Sequence, residues 1–330
     1  MMKDTLKAVL TPFGPAGAEG PIAEVIRGMI EPHVDEISTD ALGNLIAIKH
    51  GPKDSKRVMF SAHMDTIGYV AMDADKDGFI RVSNLGGVNP SSAAGRHVVF
   101  ANGVGGVTYI EPLRGEAPTI RHLYIDVGAS SREEALEKVP VGTMAAICHQ
   151  FTDMGDRVSA PYMDNRVACA ILIELLKALK SPKHEILAVF SSQEEVGLRG
   201  ATVAAYALEP DIGVAVDVTG AGDTPACDPL PMKVGAGPAI KVKDSRSIST
   251  PLVRDGLVSA AKKAGVPYQY EVLPFGGTDA GAIMISRGGV PSGTVSISCR
   301  YVHAPVETVS ISDMENAVTL LTAYVQQILD

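Results

Sequence analysis

The sequence has no tryptophan, only four cysteines, and aromatic residues at just 5% of its 330 positions. Any sugar site would therefore have few aromatic platforms to stack on. Cys148, Cys169, Cys227 and Cys299 lie far apart with no CxxC pair, and in so long a chain they read as buried thiols of a reducing compartment. No run approaches the roughly 18 apolar residues that span a bilayer. The first residues, MMKDTLKAVL, hold no sustained apolar core before Pro12 and make a poor signal peptide. A basic excess is missing as well. The formal charge is −9, so no cationic cluster is available for phosphates or an anionic membrane. These absences point to the cytoplasm and argue against nucleic-acid and membrane partners.

What is present suits a folded globular protein. At 46% hydrophobic and 20% charged, the chain can bury the core of one large domain or two modest ones. PIAEVIRGMIEP has helical apolar spacing, while NLIAIKHG and RVMFSAHMD read as strands. From about Thr66 to Arg157 the pattern changes to short β-like runs (GFIRVSNL, HVVFANG, GGVTYI, HLYIDVG) divided by glycine-rich turns, with SREEALEKV as the one helical stretch. Beyond Arg157 strands and helices alternate again. DNRVACAILIELLKALK, STPLVRDGLVSAAKKAG and TDAGAIMISRGG read as helices, and EILAVFSS, IGVAVDV and GTVSISC as buried strands. A last helix is expected to begin at Ser312 with Glu315 completing a capping box. The fold class predicted is α/β: a mixed, largely parallel sheet with helices on both faces, formed by residues 1–65 and 158–330. Residues 66–157 form an inserted all-β module.

In open α/β sheets ligands bind beyond the carboxyl ends of the strands. His63 and Asp65 follow one predicted strand, Glu194 and Glu195 another, Asp217 a third and His303 a fourth, while Asp164 opens a long helix. Each has an ordinary reading. A histidine near a strand end is commonly just hydrogen-bonded, Asp164 could be a helix N-cap, and adjacent glutamates could sit on a solvated loop. Those readings leave unexplained why four strand ends carry the same residue types. Several carboxylates with two histidines form a ligand set suited to zinc, cobalt or manganese. Five ligands suffice for two ions if one carboxylate bridges, leaving one glutamate free as a base. His63 and Asp65 face the same way, so the Asp65 carboxylate is expected to accept the second imidazole N–H of His63.

The segments SAHMDTIG, PYMDNRVA, SSQEEVGLRGA, AVDVTGAGDTP, FGGTDAGAI and SCRYVHAPVE occur in this order. Together with the DALGNLIAIKHG stretch they closely resemble the M42 family of dinuclear metallo-aminopeptidases, nearly end to end. The resemblance implies that His63 and Asp217 hold one metal, Glu195 and His303 the other, and that Asp164 bridges them. It implies Glu194 as general base, Asp65 as support for His63, and a cis peptide bond at Asp164–Asn165. By the same resemblance the inserted module is a dimerisation domain from which twelve-subunit shells are built, and the reaction is removal of N-terminal residues from short peptides. Thr66, Gly220 and Gly281 depart from residues common in the family and bear on substrate preference. Gly277, Thr278 and Asp279 read either as substrate contacts or as a glycine turn capping the following helix. HVVFANG would be hazardous as a free edge, which also favours dimers through residues 66–157.

Two rival readings carry less. A glycosidase would need Glu194 and Glu195 to flank a sugar from opposite sides and would leave both histidines idle. A metal-stabilised binding scaffold would bind metal without turnover. The GAGDTP stretch lacks the spaced glycines of a dinucleotide site, and HExxH is absent.

Overall fold

The computed structural model describes residues 1–148, 150–227 and 229–327. The chain opens with α1 (Met2–Leu10), a helix the sequence reading passes over, and α2 (Gly20–Ile30). Then come β1 (Glu36–Thr39), β2 (Leu45–Lys49) and β3 (Arg57–His63). The next strands are β4 (Gly68–Ala74), β5 (Ile80–Leu85), β6 (His97–Phe100), β7 (Gly105–Ile110), β8 (Leu123–Asp126) and β9 (Met144–Ile147), with short helices α3 (Pro90–Ala93) and α4 (Arg132–Lys138) between them. After β10 (Thr152–Met154) and β11 (Arg157–Ala160), the chain runs through α5 (Met163–Ala178), β12 (Glu185–Ser191), α6 (Arg199–Leu208), β13 (Ile212–Gly220) and β14 (Ala239–Lys243). It closes with α7 (Pro251–Ala264), β15 (Gln269–Val272), α8 (Ala280–Ile283), β16 (Ser292–Cys299), β17 (Glu307–Ser310) and α9 (Ile311–Gln327).

Eight strands form one sheet in the order β1-β2-β12-β3-β13-β16-β14-β15. The sheet is mixed, and its centre is parallel: β12, β3, β13 and β16 run the same way. Alternation along these strands feeds two unequal cores. Val58, Phe60 and Ala62, with Ile186, Ala188 and Phe190, pack with α1, α2, α5, α7 and α9. Met59, Leu187 and Val189 face the opposite way against Ala204 and Ala205 of α6 and Ile283 of α8. Period-two alternation thus buries both faces of a central strand, which is why its sequence reads as an unbroken apolar run.

The inserted strands close on themselves in a barrel, β4-β5-β8-β7-β6-β9, with Tyr69, Ile80, Val98, Phe100 and Ile125 in its own core. HVVF is accordingly no free edge: β6 pairs with β7 on one side and β9 on the other. Closure removes the hazard on which the edge-strand argument for dimers rested. A boundary at residue 157 would also cut the β10–β11 pair, which lies with β17 in a separate three-stranded sheet.

Other local expectations change. Cys169 and Cys299 are buried, but Cys148 is exposed and Cys227 half-buried; all four are free thiols. The Ser312 capping box does not form. Ser310 Oγ instead accepts the Asp313 N–H at 3.2 Å, and Ser312 N donates to Asp156 Oδ1 at 3.0 Å, so the helix starts earlier. TDAGAIMISRGG yields only the single turn of α8. Among the described residues no helix is long and apolar enough to cross a membrane.

Candidate metal centre

Because β3, β12 and β13 run parallel, their carboxyl ends meet at one edge. His63 is the last residue of β3, paired with Ser191 at the end of β12. Asp217 is not beyond β13 but within it, opposite Ser296 of β16. Asp164 is no helix cap: it and Asn165 have non-helical backbone angles, joined by a cis peptide bond, so the regular turns of α5 start after them. His303 stands on the loop between β16 and β17.

These residues converge in two groups that share one member. Ligand atoms of His63, Asp164 and Asp217 lie within 4.8 Å of one another, as do those of Asp164, Glu195 and His303. Asp164 Oδ1 is 3.1 Å from His63 Nε2, and its Oδ2 is 3.4 Å from His303 Nε2. Glu195 Oε2 is 3.4 Å from His303 Nε2, whereas Glu195 Oε1 is buried without a hydrogen-bond partner. The Nδ1 atoms of both histidines face backbone carbonyls, His63 that of Asp65 and His303 that of Gly87, each at 3.0 Å. With a proton held at Nδ1 by a carbonyl, Nε2 would present its lone pair to a cation; without a cation, each imidazole is protonated and donates from Nε2 to Asp164 instead. Shared oxygens, Nε2 atoms directed inward and an orphaned buried oxygen fit two divalent cations.

Electrostatics tells the same story. Burial pushes the carboxyls of Glu194, Glu195 and Asp217 above their usual range. Asp164 is held well below it: burial opposes this, but hydrogen bonds from His303 and His63 prevail. Burial also works against a charged His303, yet Asp164 and Glu195 raise it to about 12. So many acids packed together need cationic charge nearby.

The expected role of Asp65 needs correction. Its backbone carbonyl, not its carboxylate, takes the closer contact with His63; the carboxylate Oδ1 stands off at 3.5 Å. The carboxylate oxygens accept the N–H groups of Glu194, at 2.9 Å, and Glu195, at 3.1 Å. Just upstream, Asn44 Oδ1 accepts from Ser192 N at 2.8 Å and Glu19 Oε1 from Gln193 N at 3.0 Å. Each successive N–H of the turn is therefore held by a side chain, which fixes the direction of the two glutamates. Glu194, the one outside both ligand groups, has Oε2 at 3.8 Å from His63 Nε2.

Thr278 and Asp279 do not reach the cleft. Both are 1% exposed; Thr278 bonds Thr294, and Asp279 Oδ2 accepts Ser61 Oγ at 2.6 Å and Ser191 Oγ at 2.5 Å beneath the sheet edge. Gly277 does line the cleft, a cavity of about 730 Å³ that also exposes Leu198, Leu273 and Phe275. Sequence reading passed over Glu307, although it lies in the quoted SCRYVHAPVE. Its Oε2 accepts Asp164 N at 2.9 Å and its Oε1 His303 N at 2.6 Å, tying two presumed ligands together through their backbones. It also missed Gly86 and Gly87 of the inserted segment. A Cβ at Gly86 would sit 2.8 Å from Glu195 Oε2, and one at Gly87 2.6 Å from His303 Nδ1. Their signal was a glycine pair in a turn, which reads locally as nothing more.

Comparison with known proteins shows the family. The model of the M42 glutamyl aminopeptidase family matches residues 43–320. The chain belongs to that family. An aminopeptidase-like protein of Acetivibrio thermocellus is 47% identical over 97% of each chain. The lysyl aminopeptidase of Pyrococcus furiosus is 34% identical over 98% of this chain and 97% of its own length. The solved TET1 peptidase of Pyrococcus horikoshii, which can assemble into a tetrahedron or a large octahedral shell, superposes with a TM-score of 0.89. It is 32% identical, with 99% of this chain and 100% of that chain covered. The likeness to these relatives thus extends over nearly the whole chain, inserted barrel included.

Proposed function

We propose that this M42 peptidase is a dinuclear metallo-aminopeptidase that removes N-terminal residues from short peptides. The observation that carries the reading is the pair of ligand groups joined at Asp164, with Glu194 beside them and in neither. His63 and Asp217 would hold one ion, Glu195 and His303 the other, and Asp164 would serve both. Zinc, cobalt and manganese suit this donor set. Two such ions, when bound, supply Lewis acidity for the scissile carbonyl and an acidified water.

The chain's own residues supply the rest. Glu194 takes a proton from the attacking water and delivers it to the leaving amine. Burial, opposed by His63 but reinforced by Asp217, Asp279 and Glu195, raises its carboxyl well above the usual range, and two cations beside it would act the other way and keep it ionised as a base. Asp65 keeps Glu194 and Glu195 pointed apart through their N–H groups. A free substrate amine attracted to the acidic site restricts cleavage to the chain end.

The barrel serves self-association, from dimers to a twelve-subunit shell. The support for this is the assembly of the TET1 relative together with exposed Met72, Tyr109 and Val141 on the insert. A shell would admit short peptides and keep folded proteins out. Free thiols at all four cysteines support a cytoplasmic setting. The test is chelation, followed by metal analysis and assay on aminoacyl anilides. Activity should vanish on stripping and return with zinc, cobalt or manganese as two ions bind per chain. Full activity in stripped protein would refute the metal mechanism.

A further inference from the structure

Arg246 is set apart from the other charged residues that line the cleft. The histidines and acids belong to the ligand cluster or stand beside it. Lys241 is 1% exposed, with its Nζ 3.1 Å from Asp244 Oδ2 and 2.9 Å from Glu271 Oε1, so its charge is neutralised within the wall. Arg246 is exposed, and among the described residues no carboxylate pairs with its guanidinium.

Its position is built, not incidental. Asp244, buried, accepts the backbone N–H groups of Arg246 and Ser247 at 2.8 and 2.7 Å through Oδ1. Ser245 ties the same turn to Gly276 and Pro274 across the cleft wall. The arginine stem then passes between two glycines. A Cβ on Gly277 would collide with Arg246 Cγ, and one on Gly281 would lie 2.8 Å from Arg246 Cβ. Side chains at those positions would displace the stem, so the glycines clear its path. The exposed Phe275 also lines the cleft and adds apolar surface for a substrate's carbon chain.

We propose that Arg246 is the specificity-determining residue of this cleft and receives a carboxylate of the substrate peptide. A guanidinium with free donors accepts a carboxylate in paired hydrogen bonds. The carboxylate has two possible sources, an acidic side chain on the N-terminal residue or the C-terminus of a very short peptide. The inference rests on the aminopeptidase reading, and its test separates the two.

The experiment compares kcat/KM for the zinc-, cobalt- or manganese-loaded full-length enzyme and its Arg246→Gln and Arg246→Lys variants. One pair of substrates is glutamyl and leucyl p-nitroanilide; the other is Leu-Gly-Gly with a free or an amidated C-terminus. Ratios are read within each pair, so general damage to the enzyme cancels. Arg246→Gln should lower one of the two ratios by about ten- to a hundredfold, mainly through KM, and Arg246→Lys should restore part of it. A fall in the glutamyl-to-leucyl ratio names the side chain as the source; a fall in the free-to-amidated ratio names the C-terminus. If neither ratio moves, the proposal is overturned while the aminopeptidase reading stands. If the unmutated loaded enzyme cleaves none of the substrates, the aminopeptidase reading fails and takes this inference with it.

Discussion

His63 ends a central strand with its side chain 2% exposed, whereas His303 sits on a loop in left-handed conformation (φ 61°) with its side chain 31% exposed. The other presumed ligands divide in the same way. Asp217 lies within β13, paired with Ser296 of β16 and two residues past the last pairing with β3, while Glu195 stands on a turn. One half of the site is therefore a by-product of folding the sheet. The other is assembled from distant pieces: Asp65 holds the turn, Glu307 the His303 backbone, and Gly87 of the insert the imidazole. A non-glycine residue in left-handed conformation is tolerated when its surroundings over-determine it, as two hydrogen bonds do here. The strand half should be stiff and hard to strip. The loop half should be the one that other parts of the molecule can tune.

The largest effects should come from the two adjacent glutamates, because they sort chemistry from metal holding. Glu194→Gln keeps size and polarity but removes the proton acceptor. Turnover should fall roughly a hundredfold or more while both ions remain bound. Glu195→Gln deletes a ligand charge from the loop half, so metal analysis should show that ion lost along with activity. The reverse pattern would exchange their roles, and near-normal turnover in both would refute the mechanism.

Next in size is the contrast between the two histidines. His63→Ala leaves Asp164 and Asp217 buried without their imidazole partner, so it should cost metal and also stability, by roughly 3 kcal/mol. His303→Ala should empty the loop half with little change in the thermal midpoint, because that side chain is partly solvated. Calorimetry with metal analysis on the two variants tests this. Equal destabilisation would mean the halves are not mechanically distinct.

The sequence reveals the strand half better than the loop half, and the reason is geometric. An apolar run that stops at His63, or that carries Asp217 near its end, announces a buried strand emerging at a polar edge, and parallel strands bring such ends together without further information. Much of what holds the loop half comes from far along the chain, Glu307 being the local exception. Asp65 lies about 130 positions from the glutamates whose N–H groups it binds, and nothing in HMD marks its carboxylate for that use. Local spacing correctly put His63 and Asp65 on one side but could not show which oxygen faced the ring. Barrel closure was equally hidden, since HVVFANG looks the same whether its edges are free or paired. Ser312 lost its capping role to Ser310 because Asp156, on a different hairpin, claims the Ser312 N–H. The family resemblance implies ligand assignments across these gaps, and the side chains that lie close enough to share an ion form the two groups described above.

The smallest expected effect probes the junction between barrel and loop half. Gly87 is not among the residues with positive φ, so alanine fits its backbone and any consequence arises from contact. The added Cβ would lie 2.6 Å from His303 Nδ1, closer than real Cβ contacts permit, and would push the ring off the Gly87 carbonyl that now faces Nδ1 at 3.0 Å. Loss of such an outer hydrogen bond typically costs a metal-binding histidine about 10- to 100-fold in affinity. Gly87→Ala should therefore weaken one ion by that factor and leave the other as in the unmutated protein, with the thermal midpoint of the metal-stripped chain nearly unchanged. Stepwise titration with a graded chelator reads the two affinities separately. If both ions weaken together, Asp164 transmits the disturbance and the two halves act as one unit. If neither weakens, the insert does not orient His303, and the barrel's link to the site is one of proximity alone.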